Sequence, residues 1–169
     1  MHILLVADGR SPITRRWVQG VLALGHRITL VSSFAGSMPP GIEASYVLPI
    51  AFSGAAAGSQ QANSAANSTS AGLKSFVKRF RSTLITARSY LGPLTIPFYA
   101  RQFAKIVQAV KPDLVHALRI PFEGMLASYT PVGTPLIIST WGNDLTLHAQ
   151  SSGLMRRLTR QALRRADGL

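Results

Sequence analysis

MHILLVADGRSPITRRWVQGVLALGHRITLVSS, residues 1–33, holds three patterns in succession. His2–Ala7 is an uninterrupted apolar run that stops at Asp8-Gly9, the pattern of a strand buried on both faces and ended by a turn. Pro12 then opens a helical stripe of Ile13, Trp17, Val21 and Leu24, filled by Val18 and Leu22, and Gly25 is the expected C-cap. Arg27–Ser32 is a second apolar strand. Strand, helix and strand within about 30 residues make one βαβ unit, whose strands are parallel and whose connection is right-handed.

The rest of the chain repeats this alternation. A short strand is expected at Ala44–Leu48, after Pro39-Pro40-Gly41. Residues 53–72 (SGAAAGSQQANSAANSTSAG) carry no charge and no large apolar group, so a flexible loop is expected there. Helical spacing returns at Leu73–Ser89, breaks at Gly92-Pro93, and resumes from Pro97 to Val110. Pro112 ends that helix and Asp113–Ala117 reads as a strand. Pro121 suits the first turn of a helix reaching Tyr129, Pro135–Thr140 is another buried strand, and Trp141–His148 reads as a loop. Ser151 or Ser152 caps a helix to Arg165, and residues 166–169 stand where a further strand is due. The fold class is α/β: a Rossmann-like, doubly wound, mostly parallel sheet with helices on both faces.

Composition narrows the chemistry. The 169 residues are 47% apolar, enough to bury a core as one domain. No cysteine is present, which removes disulfides and thiolate metal sites, and the histidines at 2, 26, 116 and 148 lack metal-ligand spacing. No metal and no cofactor are expected. The start of the chain has no basic segment before its short apolar run, so a cytoplasmic domain is expected. The net charge of +12 is concentrated: residues 74–111 hold eight Lys/Arg and residues 156–165 hold five Arg, neither block with an acid. The remainder is close to neutral. Two basic blocks on a near-neutral domain suit an anionic partner, whether membrane, phosphate or nucleic acid.

In an open parallel sheet, ligands bind beyond the carboxyl ends of the strands. Three segments deliver polar residues there: Asp8, Gly9 and Arg10 after the first strand; His116, Arg119 and Glu123 around the fourth; Trp141, Gly142, Asn143 and Asp144 after the fifth. Helix N-termini beside them suit anions. Each residue also has a plainer role. Gly9 can serve a tight turn, His116 can be a satisfied core histidine, and Arg119 can pair with Glu123. Asn143 or Asp144 can cap a turn, and Trp141 and His148 can be packing residues. Neither a G-x-G-x-x-G fingerprint nor a Gly-Lys-Ser/Thr phosphate loop occurs around Gly9.

The ordered set MHILLVADG (1–9), RRWVQGVLALGHRITLVSS (15–33), PDLVHA (112–117), PLIISTWGNDL (135–145) and LTRQALRRADG (158–168) resembles the N-terminal half of a GT-B glycosyltransferase of family 4. The resemblance implies a domain that binds the acceptor. A second, C-terminal domain, which binds the nucleotide diphosphate sugar and carries paired glutamates spaced E-x7-E, is absent from these residues. It implies retaining transfer to an acceptor sugar or lipid-linked acceptor, in glycolipid or cell-envelope polysaccharide synthesis, with this half alone inactive and the chain truncated. Gly9 would let the acceptor approach the backbone, and Arg119, Glu123, Asn143 and Asp144 would line the cleft. Leu118 stands where many relatives carry the second histidine of H-x-H, so that catalytic role has no counterpart here. Trp141 replaces the histidine of the H-G-x-D loop, while Gly142 and Asp144 match it.

Phe76, Phe80 and Leu84 beside Lys74, Lys78, Arg79 and Arg81 describe a basic amphipathic helix. It suits peripheral attachment to an anionic membrane at its inner face, or else packs its apolar side on the sheet. A nucleic-acid module built on residues 156–165 is the alternative from another class. The near-neutral remainder and the lack of a nucleic-acid motif stand against it, and arginines near a helix C-terminus also complement the macrodipole. A non-catalytic carbohydrate- or lipid-binding domain is the third.

Overall fold

The computed structural model describes residues 1–52 and 92–169. The segment 53–72, the helix expected over Leu73–Ser89, and Lys74, Lys78, Arg79 and Arg81 lie outside the described residues.

The first apolar run forms β1 (His2–Ala7), with all six residues buried. Its side chains alternate between two cores. Leu4 and Val6 face one; Leu5 and Ala7 face the other. A strand with both faces covered has no polar alternation, which is why the run reads as continuous. β2 (Arg27–Ser32), β3 (Ala44–Val47), β4 (Leu114–Ala117) and β5 (Leu136–Ile138) join it in the order β3-β2-β1-β4-β5, every pair parallel. The order reverses direction at β1 and β4, the switch point of a doubly wound sheet.

Helix α1 (Pro12–Ala23) covers one face, starting at the Ser11 cap and ending at Gly25, whose φ of 76° is a left-handed conformation that suits glycine. Its buried line is Thr14 and Val18, flanked by Trp17, Val21 and Leu22. The expected stripe is therefore rotated, leaving Ile13 and Leu24 exposed. α2 (Thr95–Val110), the single turn α3 (Met125–Ala127) and α4 (Gly153–Arg165) contribute to the larger core on the opposite face, with Phe103, Met125 and Leu158 among its members. Ser152 is the α4 cap, accepting from Met155 N at 3.2 Å.

After α4 the chain returns beside β5. Asp167 N donates to Leu136 O (2.8 Å), Ile138 N donates to Gly168 O (3.1 Å), and Gly168 bridges Ile137 in parallel. These contacts place residues 167–168 beside β5, where the alternation calls for a strand. Leu136 N–H, and then Arg165, hold the Asp167 carboxyl below its usual range.

Two expectations fail locally. Pro121 does not open a regular helix: its ψ of 126° is extended, and Phe122 follows with φ 64°. Regular helix resumes only at Met125. Trp141–His148 is not an irregular loop either, because Asp144–His148 is a wide helical turn.

Candidate functional site

At the carboxyl end of β1 the chain turns so that Ser11 N reaches Asp8 O (3.1 Å). The Asp8 carboxylate accepts from Arg10 N (3.0 Å), Nε (3.1 Å) and Nη2 (3.2 Å). The Arg10 guanidinium also lies 3.8 Å from the centre of the Phe34 ring. Asp8 and Arg10 thus satisfy each other and brace the turn against the chain beyond β2. Gly9 is buried, and its N–H donates to Ser32 Oγ (3.1 Å). A Cβ there would meet Met38 Sδ at 2.8 Å and Leu30 Cδ2 at 3.0 Å. The room left by its missing side chain is filled by protein. Close packing on β2 and Met38 is what demands the glycine.

His116 projects from β4 to the α1 face. Its Nε2 shares a hydrogen bond with Ser139 Oγ (2.9 Å), and its ring meets Trp17 edge-on at 4.9 Å. Burial holds its pKa below the ordinary histidine value, so the neutral ring is favoured. Glu123 is 5% exposed, and Ser33 Oγ donates to its Oε1 at 2.8 Å. The sequence allows an Arg119–Glu123 pair, but the fold assigns these residues to different partners. The kinked backbone at Pro121-Phe122 separates them, and Arg119 turns to Asp144 instead.

Asp144 organises the other end of the edge. It is fully buried, and its Oδ2 accepts from Ile120 N (3.1 Å) and Trp141 N (3.2 Å), while Oδ1 faces Arg119 Nη2 at 3.4 Å. One carboxylate therefore ties the segment after β4 to the segment after β5. It lies beneath these segments and is not itself exposed at the edge. Trp141 is pinned by Nε1 donating to Leu118 O (2.6 Å), with its residue 42% exposed. Arg119 has 39% of its side chain exposed, its Cζ lies 6.0 Å from the Trp141 ring centre, and its Nε is buried without a hydrogen-bond partner. Gly142 and Asn143 are exposed, and nothing lies within 4 Å of where a Gly142 Cβ would sit. His148, one helical turn after Asp144, is within electrostatic reach: burial and the Arg119 charge lower its pKa, and Asp144 opposes them.

The structure thus brings Arg119, Trp141 and Asp144 together, adds His148, and gives Asp8, Arg10, Glu123 and His116 partners of their own. The half-exposed guanidinium beside a fixed indole face offers a cation for an anionic group and a flat apolar plane for a sugar ring. Ser33 and Phe34 were missed by sequence reasoning, although Ser32-Ser33 ends β2 as Asp8-Gly9 ends β1, and the same strand-end rule points to them. Among the described residues, no group of three or more His, Asp or Glu is placed to hold a metal ion.

No curated protein matches this sequence. The model of the glycosyl transferase 4-like domain matches residues 8–169. That match spans α1, β2, both loops tied by Asp144 and helix α4, and the chain therefore belongs to the glycosyl transferase 4-like family.

Proposed function

We propose that this chain is the acceptor-binding half of a retaining glycosyltransferase that moves a sugar from a nucleotide diphosphate sugar to an acceptor hydroxyl. The observation that carries the reading is the meeting of Arg119, Trp141 and Asp144 at the carboxyl edge of the sheet, in a domain of this family. In the reaction the bond from the anomeric carbon to the pyrophosphate oxygen breaks and the acceptor oxygen bonds to the same face. The acceptor's proton leaves with the pyrophosphate. Arg119 stabilises the anionic charge that develops, Trp141 stacks on a sugar ring, and Asp144 holds both in place. No metal or cofactor has a step in this scheme. The donor-binding domain is supplied outside these residues. The acceptor is a sugar or lipid-linked sugar of glycolipid or envelope-polysaccharide synthesis, and the protein works in the cytoplasm at the inner face of a membrane, held by Lys74, Lys78, Arg79 and Arg81. No helix among the described residues is long and apolar enough to cross a membrane.

The test is transfer by the full-length protein from a panel of labelled nucleotide diphosphate sugars, with the product anomer assigned by NMR. Transfer with retained configuration is expected, and Arg119→Ala should lower kcat/KM by on the order of 100-fold. An inverted product, or no transfer from any donor, ends this reading. An unchanged kcat/KM in the variant removes Arg119 from it.

A further inference from the structure

Helix α4 carries charge that the fold does not use. Its buried line of Met155, Leu158, Thr159 and Ala162 packs inward, which leaves Arg156, Arg157, Arg160 and Arg164 exposed. Residues 157, 160 and 164 follow the i, i+3, i+7 pattern of a single helix face, a row about 10 Å long. With Gln161 and Arg165 they line a groove of about 490 Å³. Arg165 is committed: it donates to the carbonyls of Thr130, Pro131 and Thr134 and pairs with Asp167 at 3.1 Å. Arg157, Arg160 and Arg164 make no hydrogen bond or ion pair among the described residues.

Helix electrostatics do not account for this row. The macrodipole favours cations in the last turn, which covers Arg164 and Arg165, but Arg156 and Arg157 sit near the N-terminal end, where it disfavours them. Arg156–Arg160 and Arg160–Arg164 are also i, i+4 pairs of like charge, which repel. Nor does the row belong to the candidate site. α4 runs against the strands, and its end meets Thr130–Thr134 before β5, at the amino edge of the sheet. Val132, which follows Pro131 in the turn whose carbonyls hold Arg165, is an apolar side chain 98% exposed.

We propose that the Arg157–Arg160–Arg164 face of α4 docks on the phosphate headgroups of an anionic lipid bilayer, with Val132 entering the interface. A row of guanidinium groups beside an exposed apolar side chain matches a surface that is anionic outside and apolar beneath. Nucleic acid is the weaker fit, because among the described residues the groove lining holds no aromatic side chain for a base to stack on. The proposal is independent of the transfer chemistry and adds a second contact to the one assigned to Lys74, Lys78, Arg79 and Arg81.

The test is cosedimentation of the chain with vesicles containing phosphatidylglycerol and with vesicles of phosphatidylcholine alone. Three chains are compared: wild type, Arg157→Gln/Arg160→Gln/Arg164→Gln, and Lys74→Gln/Lys78→Gln/Arg79→Gln/Arg81→Gln. Circular dichroism checks that each is folded, and single Arg160→Gln stands in if the triple variant is not. Binding selective for the anionic vesicles is expected, at least about tenfold weaker in the triple α4 variant and several-fold weaker in Arg160→Gln. Val132→Ser is expected to weaken it by a smaller factor. Wild-type binding by the α4 variants overturns the proposal, as does equal binding to both vesicles. Tighter binding to duplex DNA than to anionic vesicles at the same salt, lost in the α4 variant, would make the face a nucleic-acid surface instead.

Discussion

At the carboxyl edge of the sheet, Asp8 faces Arg10, Asp144 faces Arg119, and Glu123 takes the hydroxyl of Ser33. On the outer face of α4, Arg157, Arg160 and Arg164 face no acid among the described residues. The same side-chain chemistry thus does two jobs. Where a charge is buried or half-buried it has been given a partner, since an unpaired charge in low dielectric is costly, and the pair becomes part of the scaffold. Where it stays in water it needs no partner and remains available to one. Charge at the edge sets geometry, while charge on α4 sets attraction.

The sharpest way to break this contrast is Asp144→Ala. It leaves Ile120 N, Trp141 N and Arg119 without their shared acceptor, and a loss of about 3 kcal/mol is expected by urea unfolding. A change near zero would mean that the edge is not held by its buried carboxylate. Gly9→Ala comes next, at about 1–2 kcal/mol, because the new Cβ lies 2.8 Å from Met38 Sδ. Met38 is a flexible side chain, so Met38→Ala in the same chain should recover part of that loss. A strictly additive double variant would contradict the packing reason given for Gly9.

A smaller effect follows from His116 and His148, whose folded pKa values are both lowered, chiefly by burial. As pH falls through about 6.5 the unfolded chain binds protons that the folded chain refuses. Stability therefore declines from that point and levels off below the folded values. Unfolding curves for His116→Gln should show a shallower decline, and an unchanged slope would remove His116 as its source. The smallest effect belongs to α4. Arg160→Gln relieves like-charge contacts with Arg156, Arg157 and Arg164 and should raise stability by a few tenths of a kcal/mol at low salt, a gain that fades as salt is added. A loss of more than about 1 kcal/mol would show that the row is structural after all.

The parts of the molecule legible in its sequence are those governed by local pattern. β1 and β2 announce themselves as apolar runs, Gly25 as a helix end, and Ser152 as a cap, because each depends on neighbours within a few residues. The carboxyl-edge rule also named the segments after β4 and β5, which Asp144 ties together. What stayed hidden depends on partners far along the chain: Ser33 meets Glu123 across 90 residues, and Arg119 meets Asp144 across 25. The helical turn at Asp144–His148 has no apolar periodicity to betray it, since it is shaped around a buried carboxylate. Pro121 misled for a related reason. Proline fixes φ but not ψ, and here ψ is extended because the chain must deliver Glu123 to Ser33.

The position of β1 at the centre of the sheet governs the order of events as the chain is made. One neighbour, β2, is a single βαβ unit away, whereas the contact between His2 and Asp113, at the start of β4, spans 111 residues. A chain growing at a few to twenty residues per second can pair β1 with β2 and then wait on the order of ten seconds for β4. Throughout that wait β1, whose six residues are all destined for burial, presents a bare edge, which is the template that another nascent chain can extend. The switch point between β1 and β4 thus closes well after β1 has paired with β2, and an interval of exposure to misassembly falls there.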